Sequence, residues 1–211
     1  MDTPVVSTTD LRKRFGAHRV LCGVDLHIEH GSLFGLVGLN GAGKTTLIRL
    51  LLGLLKPESG DVRVAGKAPW RHESSMYRAI GAVLEHDGFW GNLSFAQNIR
   101  VFADARGVSR GETDEYLRRY WSGSDILEST RKVRTFSRGQ RTQCALCRAF
   151  LGWPPVCLLD EPTVGLDIDS YDRFHRLVRE ARERGAAVLV SSHQLETIEE
   201  LCDRVGLLRG G

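Results

Sequence analysis

Residues 24–28 alternate Val, Leu and Ile with Asp and His, the period-two pattern of a strand with one buried face, and residues 5–9 also read as a strand. Residues 32–37 are a short apolar run that stops at Gly38, as a strand buried on both faces does, and 44–52 follow as a helix with Gly53 near its end. Residues 61–64 and 80–84 are further strand candidates. The texture then changes. Residues 95–105, 113–121 and 140–151 look helical, and no strong strand returns until 156–159. Beyond that, 170–184 form an amphipathic helix with Tyr171, Phe174, Leu177, Val178 and Ala181 on one face. A strand at 187–190, a helix at 194–201 and a strand at 205–208 complete the pattern. Buried strands alternating with helices predict an α/β fold with a largely parallel sheet. The N-terminal strands add a small antiparallel β region. The expected division is a core of residues 1–84 and 156–211, interrupted by a helical subdomain at 85–155. There is no internal repeat or low-complexity segment.

Composition narrows the function classes. With 42% hydrophobic and 26% charged residues, a 211-residue chain suits one well-cored domain and not a disordered one. A net charge of +3 gives no electrostatic case for nucleic acid. The densest basic run, Arg12-Lys13-Arg14, reads as a solvated turn. Five cysteines, an odd count, with no secretory leader at Met1-Asp2-Thr3-Pro4, argue for a reducing cytosol. Cys144 and Cys147 share a helical face, which favours packing over metal or redox chemistry because no second ligand pair stands at zinc spacing. The greasiest run, 47–55, contains Arg49 and is too short to span a bilayer, so any membrane role must come through a partner chain.

Two stretches carry chemistry. Gly38-Leu39-Asn40-Gly41-Ala42-Gly43-Lys44-Thr45 matches G-x-x-x-x-G-K-[ST], between a strand and a helix. Glycines let the backbone curl so that its N–H groups converge on phosphate oxygens, and the helix N-terminus adds positive charge. Lys44 is expected at the β- and γ-phosphates and the Thr45 hydroxyl on Mg²⁺. The full phosphate-binding set is Gly38, Asn40, Gly41, Ala42, Gly43, Lys44, Thr45 and Thr46. The second stretch is the apolar strand that ends in Asp160-Glu161. In a P-loop NTPase the first acid binds Mg²⁺ and the second can polarise an attacking water.

P-loops serve many reactions, so the rest of the chain decides. Phe136-Ser137-Arg138-Gly139-Gln140 before an apolar helix resembles the signature of the ABC ATPases, usually Leu-Ser-Gly-Gly-Gln. Asp160-Glu161-Pro162-Thr163 with Gly165-Leu166-Asp167 is similar to their acidic motif and D-loop, and Ser191-Ser192-His193 to their switch histidine. Phe15 matches their adenine-stacking aromatic. The motifs occur in family order and cover almost the whole chain. The resemblance implies ATP and Mg²⁺ as ligands and a head-to-tail dimer with a second ATPase subunit, identical or related. Each ATP would lie between one P-loop and the partner's Ser137, Gly139 and Gln140. It implies Glu161 as the base, His193 as the holder of γ-phosphate and water, and Asp167 as a link between the two sites.

The chain departs from that pattern at Glu85, where Gln is usual and where a carboxylate can touch water or Mg²⁺. Arg138 stands for the first signature Gly, Phe136 for Leu, and Gln143 for a usual Arg. Glu85 followed by Phe89-Trp90-Gly91-Asn92-Leu93-Ser94 resembles a subgroup of exporters that includes bacitracin and lantibiotic self-protection transporters. The chain ends at Gly210-Gly211, where relatives often run on, as a short member or a trimmed chain would. The reading is therefore an ATPase subunit of an exporter of drug, peptide or similar cargo. It would pair with a separate transmembrane permease on the cytoplasmic face of the membrane. A groove for the permease is expected near residues 85–95, with Phe89 and Trp90 either lining it or buried in the subdomain core. The alternatives are a haem-export ATPase, a soluble ABC ATPase, and an ATP-dependent switch that barely hydrolyses.

Overall fold

Two long strands open the computed structural model, which describes residues 4–71, 74–85 and 88–209. They are β1 (Val6–Phe15) and β2 (His18–Ile28), an antiparallel hairpin that turns at Gly16-Ala17. β3 (Leu33–Val37) leads through a glycine loop to α1 (Lys44–Leu51). β4 (Ser59–Val64), α2 (Ser74–Ala79) and β5 (Ile80–Val83) follow. Next come α3 (Phe95–Arg106), α4 (Arg110–Trp121), the single turn α5 (Asp125–Glu128) and α6 (Arg138–Phe150). β6 (Val156–Asp160), α7 (Ile168–Glu183), β7 (Ala187–Ser192), α8 (Leu195–Leu201) and β8 (Arg204–Leu207) complete the chain.

The strands form two sheets. The larger is all parallel, in the order β5-β6-β7-β3-β8, and the smaller is antiparallel, β2-β1-β4. The helices α3 to α6 lie between β5 and β6 in sequence. Alternation along β6 shows how the core is split. Val156 and Leu158 join the apolar layer shared with Val6, Val62, Leu47 and Leu189. Cys157 and Leu159 join the layer on the opposite face, with Trp121, Phe150, Phe174 and Val188. Buried Cys144 and Cys147 lie in that second layer, and among the described residues no three His, Cys, Asp or Glu side chains gather as a metal site.

The N-terminal strands run further than the alternation of residues 5–9 and 24–28 indicates. Arg12, Lys13 and Arg14, read as a turn, belong to β1. Register shifts interrupt that strand, and Asp10 takes a left-handed φ of 44° there. Such bulges break the period-two pattern while leaving the strand paired. The three basic side chains find partners at the surface: Arg12 on Asp10 at 2.7 Å, Lys13 on the Lys56 carbonyl at 2.8 Å, and Arg14 on Glu58 at 2.8 Å. Caps fix several helix starts. Ser94, Ser109 and Ser137 each form a capping box with Gln97, Glu112 and Gln140, and Ser109 starts α4 three residues before the periodicity does.

The apolar layer that holds α3 to α6 also holds one face of the sheet, so helices and strands share one core. The seam is closed by two residues. Arg106 donates to the carbonyls of Arg148 (2.8 Å) and Leu151 (2.9 Å) at the end of α6, and to Ile80 (3.0 Å) at the start of β5. One guanidinium thereby satisfies carbonyls that the helix itself leaves unpaired. Gly81 lets β5 approach so closely that an added Cβ would run into the Ala149 carbonyl oxygen. No described helix is long and apolar enough to cross a membrane.

Gly81→Ala is therefore expected to lower stability by about 1–3 kcal/mol through overpacking against backbone. Urea unfolding would show a lower midpoint with an unchanged slope.

Candidate functional site

Parallel pairing places the carboxyl ends of three strands at one level: Val37 pairs with Ser192, and Asp160 with Ser191. The segments that leave these ends carry the glycine loop, Glu161 and His193. In the loop, Gly41 (φ 82°) and Gly43 (φ 107°) take conformations that L side chains avoid. A Cβ on Gly43 would meet Leu21 Cδ2 at 2.9 Å and the Val20 carbonyl at 3.1 Å, so β2 runs directly against the loop. A Cβ on Gly38 would meet the Leu208 carbonyl at 2.5 Å. Asn40 and Gly41 are exposed, Ala42, Thr45 and Thr46 are half-buried, and Lys44 opens α1.

Lys44 is only 6% exposed. Its ammonium donates to the Gly38 carbonyl at 2.6 Å and the Leu39 carbonyl at 3.4 Å, and stands 3.7 Å from Glu161 Oε1. The other Glu161 oxygen is 2.9 Å from His193 Nδ1. Glu161 thus sits between Lys44 and His193, held in a left-handed φ of 48° while its amide donates to Ser191 Oγ at 3.1 Å. The same Ser191 hydroxyl donates to Asp160 Oδ1 at 2.6 Å. One fully buried serine therefore fixes both acids. It was not among the residues singled out from sequence for a role at the site. Its bonds depend on strand register, although its place in Ser191-Ser192-His193 was the available signal.

A cleft of about 560 Å³ opens beside these groups, lined on one side by Thr45, Glu85, Asp160 and Glu161 and on the other by Arg138, Arg141 and Thr142 of α6. Glu85 is exposed at this cleft; the residue after it, His86, lies outside the described residues. Phe89 is half-buried, within 5.5 Å of the Phe102 ring, and Trp90 is half exposed, at 5.3 Å from it.

The signature residues serve local ends as well. Ser137 Oγ accepts from the Gln140 amide at 3.2 Å, and Gln140 Oε1 accepts from the Ser137 amide at 3.0 Å. The Gln140 side chain is thus turned back onto its own helix. Gly139 packs on the loop after β6, where a Cβ would overlap the Gly165 carbonyl. Its close approach is to this chain's own backbone. Asp167 caps α7, accepting from the Ser170 amide at 2.8 Å. Ser170, by its side chain and its amide, holds that carboxyl below the ordinary aspartate value. Phe15 is 49% exposed at the hairpin end, with Lys13 Nζ 5.4 Å from its ring. Its neighbour across the hairpin is His18, two residues from the Val20 that touches the loop.

The arrangement suits a polyphosphate and a divalent cation. Gly38 and Gly43, where an added Cβ would clash, and the left-handed φ of Gly41 and Gly43 shape a loop that runs into the N-terminus of α1, beside a buried ammonium. Oxygen donors from Thr45, Glu85 and Asp160 at one cleft are the hard ligands that Mg²⁺ takes.

Over residues 21–164 the sequence matches the family model described as ABC transporter. It is 36% identical to the bacitracin transport ATP-binding protein of Bacillus licheniformis, over 98% of this chain and 67% of that one. A solved ATP-binding subunit of an ABC transporter superposes with a TM-score of 0.89 at 28% identity, covering 98% of this chain and 87% of that one. A dimeric bacterial ABC transporter cassette gives 0.84 at 23% identity, over 98% and 95%, a likeness of fold.

Asp167→Ala is expected to cost about 1 kcal/mol at pH 7 through loss of the α7 cap. Because the folded-state pKa is lowered, the wild-type advantage is present above the ordinary aspartate value near 3.8 and is lost as pH falls through the depressed one. Urea unfolding of both proteins at pH 7 and at pH 3 would show the gap narrowing.

Proposed function

The chain belongs to the ABC transporter family, and from that premise we propose that it is the ATP-hydrolysing subunit of an exporter, working as a dimer on a separate membrane-spanning permease. The family binds and hydrolyses ATP. The observation that carries the finer reading is Glu161, set between Lys44 at 3.7 Å and His193 at 2.9 Å beside the glycine loop.

In this reading Lys44 exchanges the Gly38 carbonyl for β- and γ-phosphoryl oxygens. The backbone from Gly38 through Thr46, including Asn40, Gly41, Ala42 and Gly43, supplies the surrounding N–H groups. At about 3 Å, with an effective dielectric near 20, the lysine attraction is roughly 5 kcal/mol before desolvation. Glu161 accepts a proton from the attacking water, and His193 steadies that carboxylate and the water. Ser191 keeps Asp160 and Glu161 in register. Thr45, Asp160 and Glu85 would hold Mg²⁺, which draws charge from the phosphoryl oxygens when bound. Phe15 stacks on adenine, worth about 1–3 kcal/mol by analogy with other base–aromatic pairs.

The second half of each site comes from a partner copy. Ser137 and Gly139 at the start of α6 offer a capped helix N-terminus to an anion. Gln140 joins them once its side chain leaves the capping box, and Asp167 links the two sites across the dimer. The dimeric cassette that shares this fold supports the pairing. Residues 85–155 then act as the mobile unit against a core of 1–84 and 156–211, and closing on ATP moves the permease. Phe89 and Trp90, beside the cleft, are the contacts proposed for it. Likeness to a bacitracin transport protein supports a peptide or drug cargo, and a place at the cytoplasmic face of the membrane.

Lys44→Ala should weaken ATP binding at least about 100-fold in equilibrium titration. Glu161→Gln should keep ATP binding, lower kcat by about 10²–10⁴-fold, the range of general-base catalysis, and accumulate an ATP-bound dimer in size exclusion. An unchanged ATPase rate in Glu161→Gln would remove the assigned base.

A further inference from the structure

Phe15 is the last residue of β1, at the turn of the β1–β2 hairpin. An exposed ring that turns freely loses that freedom when a base stacks on it, which weakens binding. One contact restrains this ring. The Lys13 ammonium lies over it, 5.4 Å from its centre and within the range of a cation–π attraction. The same ammonium donates to the Lys56 carbonyl at 2.8 Å. It is thus tied to backbone while it covers one side of the ring. Phe15 is still 49% exposed, so the ring is covered in part and open in part.

The carbonyl that holds Lys13 is attached to the helix that begins at the glycine loop. α1 opens at Lys44, and the chain beyond its end folds back on it: the amides of Leu54 and Leu55 donate to the Arg49 carbonyl at 2.9 and 3.3 Å, just before Lys56. A second strap lies beside the first. Glu58 takes the Arg14 guanidinium at 2.8 Å, and its amide donates to the Arg12 carbonyl at 3.0 Å. On the other strand of the hairpin, Val20 and Leu21 lie so close to Gly43 that they leave no room for a Cβ there. The hairpin is therefore located against α1 at both ends, by Gly43 before its first turn and by residues 56–58 beyond its last. Among these contacts, Lys13 is the one that reaches the Phe15 ring.

We propose that Lys13 is a positioning residue for the nucleotide base: pinned on the Lys56 carbonyl, it holds one face of the Phe15 ring and leaves the other as the platform on which adenine stacks. The role rests on the reading of Phe15 as the base-stacking residue. Lys13 acts through the ring and touches no part of the nucleotide. It orients the ring before the base arrives, and so raises affinity by lowering the cost of ordering. Its effect follows the base and not the phosphates.

The test is equilibrium titration of the full chain with a non-hydrolysable ATP analogue and with inorganic triphosphate, each with Mg²⁺. The variants are Lys13→Gln, Phe15→Leu, the double variant and Lys13→Arg. Lys13→Gln should weaken the analogue about 2- to 5-fold, the size of an exposed cation–π contact, and leave triphosphate affinity as in the wild type. Phe15→Leu should weaken the analogue about 5-fold or more, and Lys13→Gln should add nothing to that loss. Lys13→Arg, which keeps a cation over the ring, should stay near the wild type. In the nucleotide-free protein, Lys13→Gln should also shift the NMR resonances of the Phe15 ring. Equal losses for analogue and triphosphate would place Lys13 on the phosphates and overturn the proposal. So would losses in Lys13→Gln and Phe15→Leu that simply multiply in the double variant, or ring resonances that do not move. A weakened Phe15→Leu beside an unaffected Lys13→Gln would overturn the role of Lys13 alone. Phe15→Leu that binds the analogue as tightly as the wild type would remove the adenine reading, and the role of Lys13 with it.

Discussion

The register of three buried parallel strands is the constraint from which the site follows. β3 pairs with β7 and β7 with β6, so Val37, Asp160 and Ser192 end at one level. Both faces of this sheet are packed, and a slip by one residue would exchange the two apolar layers. That is too costly to occur by fluctuation. Lys44, Asp160, Glu161 and His193, far apart in sequence, are therefore delivered to one place by packing that has no chemistry of its own. Ser191 shows the same economy: a fully buried residue of β7 reaches two acids because β6 and β7 cannot shift.

A buried ammonium and a strained carboxylate need compensation, and the loop supplies it. Lys44 is satisfied by the Gly38 and Leu39 carbonyls, and Glu161 keeps its left-handed backbone because Ser191 accepts from its amide. Backbone held in this sparsely populated region is stabilised by its surroundings, and it recurs where geometry must be fixed for function. The helix that carries Ser137 is constrained differently. Its far end is sealed to β5 by Arg106 and Gly81, while its near end faces a cleft lined with charge.

Much of this was legible in the sequence, for identifiable reasons. Strands buried on both faces appear as apolar runs, and the glycine loop has a spacing that only a phosphate cradle requires. The acids at the end of β6 stand out against four apolar neighbours. What escaped depended on contacts that periodicity does not encode. The hairpin extends through Arg12, Lys13 and Arg14 because bulges keep it paired while spoiling alternation. α5 is one turn, too short for a period to show. Gly139 was expected to face a partner's ATP, and within its own chain it packs on the backbone of Gly165. Gln140 and Asp167 serve as local caps, roles visible only once the helix starts are known.

The central claim is that the glycine loop of one copy and the Ser137 end of another enclose one triphosphate. A crystal structure of the chain with Mg²⁺ and a non-hydrolysable ATP analogue tests it most directly. The account predicts a two-fold dimer in which Lys44 Nζ has left the Gly38 carbonyl for the γ-phosphate, with Ser137 of the second copy within hydrogen-bond distance of that group. A triphosphate bound away from Lys44, or a closed dimer whose Ser137 and Gly139 face no phosphate, would contradict it.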